Sequence, residues 1–455
     1  MSDIPQNKFL TGALGRLYIK TALPIIFVMG MNGALTVADA LFLGHYVGPQ
    51  ALAAVTLMFP IYMLIAACAT LVSSGMSSIL ARHLGAGRIT QARATFVGAH
   101  GLALSVAGIL IVLATLFGPK IAQLSAASDP ALAQMGLTYL RITVWFTPVM
   151  FILSVNSDGL RNEGRVGFMA AMSLLVSLVN IAFNYVLIAK LHLGVAGSAF
   201  GTGLAQCVAL AIIMGFRARG QTPLPIEVLR GFSWGQGWLR MLALGAAQSL
   251  NFTGLALGSA AIMATLQMVQ TPHYAETVTA YGIITRVVTF TYLPMLGLSF
   301  AMQSITGNNY GAGQWARAGR SLRIALIAAF VYCVVVQIIV TSFAAQIGAA
   351  FVADAAVIAQ VARIIPVMAV VFFLMGPLMM MASYFQTIGD ATRAAILGLS
   401  KPYLFAIPLT FALPRFMGEP GIWYAGPVSE ILLLLLTIAI VAQRRMQSNM
   451  QEVAQ

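Results

Sequence analysis

Charge is what this chain has least of. Only 8% of its 455 residues are charged, and only 12 are Asp or Glu, where a soluble protein carries about 25% charged residues. That deficit excludes a large soluble domain. Cysteine is scarce as well: Cys68, Cys207 and Cys333 each fall inside an apolar stretch. Their spacing excludes a disulfide framework or a thiolate metal site and leaves them as small buried side chains. His45, His83, His100, His192 and His273 are scattered without ligand spacing. No GxxxxGK or GxGxxG phosphate loop is present. Neither an enzyme nor a cofactor or metal is expected.

What is present is apolar sequence, 60% of the chain, in runs of about 20 residues that can each cross a bilayer as a helix. The runs fall at 21–43, 53–79, 95–117, 137–157, 167–189, 194–216, 241–267, 279–304, 320–344, 358–384, 393–413 and 421–443. The reading is an all-α polytopic membrane protein of about twelve transmembrane helices. The first run is too long for a signal-peptide core and lacks a convincing cleavage site, so it is expected to be retained.

The net charge of +13 marks topology, not nucleic acid. With a cytoplasmic N-terminus, 18 of the 25 Lys and Arg fall on the cytoplasmic side, and only Lys120, Lys190 and Arg415 fall outside. Both termini are therefore expected to be cytoplasmic. Asp158 and Glu163 fall in a cytoplasmic loop beside Arg161 and Arg165, where solvated charge balance is expected.

The two halves resemble each other. Leu84-Gly85-Ala86-Gly87 and Tyr310-Gly311-Ala312-Gly313 lie 226 residues apart, Asn162–Arg165 and Thr387–Asp390 lie 225 apart, and Gly194-Val195-Ala196 and Gly421-Ile422-Trp423 lie 227 apart. A nearly constant offset reads as an internal duplication. Six spans per repeat give both repeats the same direction and a pseudo-two-fold axis along the membrane normal. The expected organisation is an N-terminal lobe over 1–216, a cytoplasmic linker over 217–240 carrying Pro223 and Pro225, and a C-terminal lobe over 241–455. The Gly-Ala-Gly motifs suit tight turns with positive φ and close packing.

Asp39 is the sole charge between Thr21 and Leu43. A carboxylate at membrane depth costs several kcal/mol, so it is a functional candidate by default. Asn32, Thr36 and Asp39 share one helical face. At about 1.5 Å of rise per residue, Asp39 and Asn184 both lie roughly 25 Å from the cytoplasmic edge, and Thr202 lies near Asn180. Asn180, Asn184 and Thr202 join Asp39 as candidates for one chamber, while Ser173 and Ser177 read as helix glue. Pro24, on the Asp39 span, can kink it. Candidates for a substrate or polar pocket are Asn32, Thr36, Tyr281, Arg286, Gln303 and Glu430. Lys401 can pair with Glu430 or snorkel to the cytoplasmic surface, and snorkelling is the preferred reading.

Taken together, several motifs resemble the multidrug and toxic compound extrusion (MATE) transporters, in particular their bacterial DinF-like branch. They are Ala38-Asp39-Ala40-Leu41-Phe42-Leu43-Gly44-His45, Leu84–Gly87, Asn180 through Asn184, Gly194–Gly197 leading to Thr202, Ala280-Tyr281-Gly282-Ile283, and Gly307–Gly313. The resemblance covers nearly the whole chain. It implies export of small amphipathic or cationic compounds by alternating access, driven by inward H⁺ with Na⁺ as the alternative ion. It also implies a coupling-cation site at Asp39, Asn180 and Thr202, and residence in the bacterial inner membrane. The chain departs from the pattern at Asn184, where many relatives carry a second acid. Membrane lipid is the expected environment, a monomer the expected state, and no nucleic acid is expected. A lipid-linked saccharide flippase of the same superfamily is the alternative.

Overall fold

The structure is a computed structural model that describes residues 7–125, 129–220, 222–269 and 273–453. No strand occurs among the described residues. Among the described residues ten helices are long and apolar enough to cross a membrane, or up to twelve when each of two bent helix pairs counts as one span.

In the first half the spans are Leu14–Tyr46, Pro49–Gly85, Ile89–Ser125, the bent pair Pro130–Trp145 and Thr147–Asn162, Val166–Asn184, and Gly194–Ala218. In the second half they are Trp238–Met268, Tyr274–Gly311, Trp315–Ser342, the bent pair Ala355–Met368 and Phe372–Ile388, Ala391–Leu399 continued through Ile407–Ala412, and Pro420–Val453. They are called spans one to twelve below.

Spans four and ten are not the single straight helices their apolar runs predict. They bend by 47° and 52°. In span four the break lies at Phe146, and Pro148 enters the next turn, where its missing N–H costs nothing. Spans five and eleven each contain a π-helical stretch, Tyr185–Lys190 and Ser400–Ala406. Such bulges often mark functional sites.

The chain forms two compact units. One comprises Met1–Ser249 with Gln303–Ala318, the other Leu250–Met302 with Gly319–Gln455. Glycine explains why parts of spans seven and eight belong to the first unit. A Cβ on Gly75 would overlap the backbone of Met241, and one on Gly245 that of Leu71. A Cβ on Gly85 would overlap the backbone of Asn308, and one on Gly311 that of Arg82. Residues 82 and 308, like 85 and 311, stand 226 apart, so the contact is the repeat packing against its own copy. Gly87 and Gly313, with φ of 67° and 73°, supply the turns that follow.

The segment after span six is tied down. It carries a short 3-10 helix, Ile226–Arg230. Arg93 Nε donates to Pro223 O at 3.0 Å, and Trp238 Nε1 donates to Gly98 O at 2.9 Å.

Candidate cation site

Within the first unit, span one packs along span five, and span five along span six. That packing brings the distant polar positions together. Asn184 Nδ2 donates to Asp39 Oδ1 at 2.5 Å and also to Asn180 Oδ1 at 3.1 Å. Asn180 Nδ2 donates to Thr202 Oγ1 at 3.0 Å, and Thr202 donates on to Ser198 O at 3.2 Å. Asn180 and Asn184 are fully buried. Four candidates from three spans thus form one hydrogen-bonded chain, Asp39–Asn184–Asn180–Thr202. Ser177 stays out of it, donating to Ser173 O in its own helix.

With its nitrogen toward Thr202, the Asn180 amide also faces its oxygen to the Asp39 carboxylate; the reversed amide removes that conflict but brings its nitrogen to 3.1 Å from Asn184 Nδ2. Reversed, its nitrogen donates to Asp39 Oδ1 at 2.9 Å, and its oxygen accepts from Thr202 N at 3.1 Å and Thr202 Oγ1 at 3.0 Å. A carboxylate only accepts, so it favours the reversed amide. A carboxylic acid can donate to the amide oxygen and favours the other.

Span six closes on the site through glycine. A Cβ on Gly201 would overlap Asn184 Oδ1, and one on Gly197 would press on Ile188 and the backbone of Leu187. The i, i+4 spacing of Gly197 and Gly201 lets the helices approach closely. That spacing was the available sequence signal, and composition-based reading passed over it. Also missed were Tyr62 on span two and Tyr139 on span four, both close enough to feel the Asp39 charge. Their lone hydroxyls carry no spacing pattern. The helix of span one runs on through Pro24. The side chains of Asn32 and Thr36 lie outside the described residues.

The remaining candidates fall elsewhere. Gln303 belongs to the first unit, where its Oε1 accepts from Arg161 Nη2 at 3.1 Å. In the second unit, Tyr281 donates to Ser259 Oγ at 3.3 Å and packs against Trp423 in an apolar cluster, and Arg286 is exposed. Lys401 does not snorkel away: it is ion-paired with Glu430, which is 7% exposed. A buried carboxylate with a cation in reach favours the pair over the surface.

The expectation of solvated charges at Asp158 and Glu163 is also corrected. The Glu163 side chain is fully buried against Arg217 Nη1 at 2.8 Å. Arg217 also donates to Asn156 Oδ1 at 2.8 Å and Leu224 O at 2.7 Å, and stacks over Phe96 at 4.7 Å. Asp158 pairs with the buried Arg161 at 3.1 Å. Sequence places these residues at a span end but cannot show that neighbouring helices cover them.

Comparison with known proteins follows the same geometry. The MatE family model matches residues 24–186 and again 249–412. The chain belongs to the MatE family. The two matches start 225 residues apart and end 226 apart, the offset of the sequence repeat. Among relatives, a FAD transporter of Shewanella oneidensis is 25% identical over 440 residues, with 94% of each chain covered. The probable multidrug resistance protein YoeA of Bacillus subtilis is 22% identical, with 86% of each covered. Among solved structures, a MATE protein in the bent conformation superposes with a TM-score of 0.89 at 22% identity over the full length of both chains. A MOP superfamily transporter from Pyrococcus furiosus gives 0.88 at 21% identity, covering 97% of this chain and 98% of that one. The fold of this MatE protein is thus the one those transporters share, and the protein is a multi-pass membrane protein.

Proposed function

We propose that this protein is a cation-coupled antiporter that exports small amphipathic or cationic compounds by alternating access, with Asp39 as the coupling carboxylate and H⁺ as the coupling ion. The observation that carries this reading is the chain from Asp39 through Asn184 and Asn180 to Thr202. It joins an intramembrane acid on span one to polar groups on spans five and six. Helix packing alone has no use for a carboxylate at that depth.

The chain also offers a means of coupling. Ionised, Asp39 holds the Asn180 nitrogen, and the amide oxygen turns to Thr202. Protonated, Asp39 donates to the amide oxygen instead, and the amide nitrogen turns to Thr202. One proton thereby changes how span one is tied to span five and span five to span six, with Pro24 as a point where span one can yield. One carboxylate surrounded by amides is a modest cage for Na⁺, which prefers several hard oxygen ligands, so H⁺ is favoured. The basic ends of the spans and both termini lie on the cytoplasmic side in this reading, and the membrane is the bacterial inner membrane.

The test is transport by purified protein in liposomes under an imposed pH or Na⁺ gradient, with a substrate panel that includes cationic drugs. FAD belongs in the panel because a relative is named for it. Substrate movement driven by the pH gradient and lost in Asp39→Asn is the expected result. Exchange retained by Asp39→Asn at normal expression would overturn the assignment. A lipid-linked saccharide flippase is not favoured: it calls for several cations free to hold pyrophosphate, and Lys401 is already tied to Glu430.

A further inference from the structure

A second polar site lies in the first unit, at the end of the spans that carries most of the basic residues. A cavity of about 190 Å³ opens there between spans two, three and seven. Its inner wall is Ile79, Ala94, Thr95 and Met241, all buried. Its rim is His83, Gln91, Gln236 and Arg240, all of which can donate hydrogen bonds. Among the described residues no carboxylate lines it. Among the described residues, Arg240 and Arg88 both bring positive charge to His83.

The cavity is built rather than left over. The segment carrying Gln236 is seated on span three because Gly98 and Gly101 lack side chains: a Cβ on either would overlap the backbone of Gln236 or Trp234. Trp238 Nε1 fixes the seat by donating to Gly98 O at 2.9 Å and Trp234 O at 2.8 Å. A half-open volume rimmed by donors, with positive charge beside it and no carboxylate lining it among the described residues, is the complement of an oxyanion.

We propose that this cavity is a phosphate-binding site, which takes a phosphate-bearing group between Arg240, His83, Gln91 and Gln236. Basic pockets between helix ends on the cytoplasmic side suit phospholipid headgroups, and the cytoplasmic placement rests on the topology proposed above. Trp234 and Leu239, exposed beside the rim, offer apolar surface to acyl chains. A soluble phosphate ester would satisfy the same donors without using that surface. The site is separate from Asp39, and its ligand is not the exported compound.

Binding to the purified, delipidated full-length protein in a phosphate-free detergent tests this directly. Three probes are compared by calorimetric titration: dioctanoyl phosphatidylglycerol, dioctanoylglycerol with the same tails and no phosphate, and glycerol 3-phosphate with no tails. Phosphatidylglycerol is expected to bind and dioctanoylglycerol not to. Arg240→Gln is expected to weaken binding about fivefold, the usual effect of one cation at a charged interface. Ala94→Leu, which fills the cavity and leaves every charge in place, is expected to weaken it at least as much.

Asp39→Asn is expected to bind like the wild type, so failure here and failure of the antiporter reading are distinguishable. Equal binding of glycerol 3-phosphate and phosphatidylglycerol assigns the site to soluble phosphate esters, whereas binding of the lipid alone assigns it to the membrane. The proposal is overturned if no phosphate probe binds, if dioctanoylglycerol binds as well as phosphatidylglycerol, or if both variants bind like the wild type. Should Ala94→Leu fail to fold, Gln91→Leu on the exposed rim carries the same test and is expected to weaken binding.

Discussion

Gly201→Ala is the sharpest test of the cation site, because it adds one methyl group and removes nothing. That methyl would occupy the position of Asn184 Oδ1, so Asn184 must rotate or span six must move away. Rotation breaks the 2.5 Å bond from Asn184 Nδ2 to Asp39, and withdrawal of span six breaks the 3.0 Å bond from Asn180 Nδ2 to Thr202. A hydrogen bond to a charged group contributes about 1.5–3 kcal/mol, which corresponds to about a ten- to hundredfold loss in coupled exchange if that bond sets the protonation-linked arrangement. Overpacking alone costs about 1–3 kcal/mol of stability, so two glycines of the same helix serve as controls. Gly203→Ala overlaps the Phe146 ring and should cost stability without touching Asn184. Gly215→Ala meets nothing within 4 Å and should be silent. The assay is substrate-driven proton movement in liposomes, with the thermal midpoint of each purified variant as reference. Wild-type exchange in Gly201→Ala, or a loss in Gly203→Ala as deep as in Gly201→Ala at equal midpoints, would refute the reasoning.

Three further outcomes are expected. Asn184→Asp places a second carboxylate beside Asp39 and adds hard oxygen ligands, so exchange should gain a response to an imposed Na⁺ gradient that the wild type lacks. Arg217→Ala strands Glu163 without its counter-charge at full burial; removing one partner of a buried pair costs about 3–5 kcal/mol, to be read as a lowered thermal midpoint that adding Glu163→Gln partly restores. Lys401→Met should destabilise the second unit for the same reason, and Lys401→Met with Glu430→Gln should recover most of the loss, whereas a snorkelling lysine would give no such recovery.

What the sequence by itself determined is whatever one helix at a time can carry. Scarcity of charge and the length of the apolar runs fix membrane-spanning helices, because unpaired backbone groups cannot face lipid. The offset between Gly85 and Gly311 fixes the duplication, which the paired family match repeats. Asp39 stands out because a carboxylate at depth is costly wherever the helix packs. Comparing rises along spans one, five and six even set Asp39, Asn184 and Thr202 at matching depth.

Depth is only one coordinate, and helix rotation and closeness came from tertiary packing. Whether Asn184 can turn its nitrogen to Asp39 depends on Gly201 leaving room for its oxygen. Whether Glu163 and Arg161 are solvated depends on which helices cover a span end, and here Ser77, Gln303 and Arg217 take the place of water. The bends in spans four and ten, the Lys401–Glu430 pair and the placement of Tyr62 and Tyr139 near Asp39 share that origin. Each depends on contacts between residues far apart in the chain, whose partners no local pattern of residue types can specify.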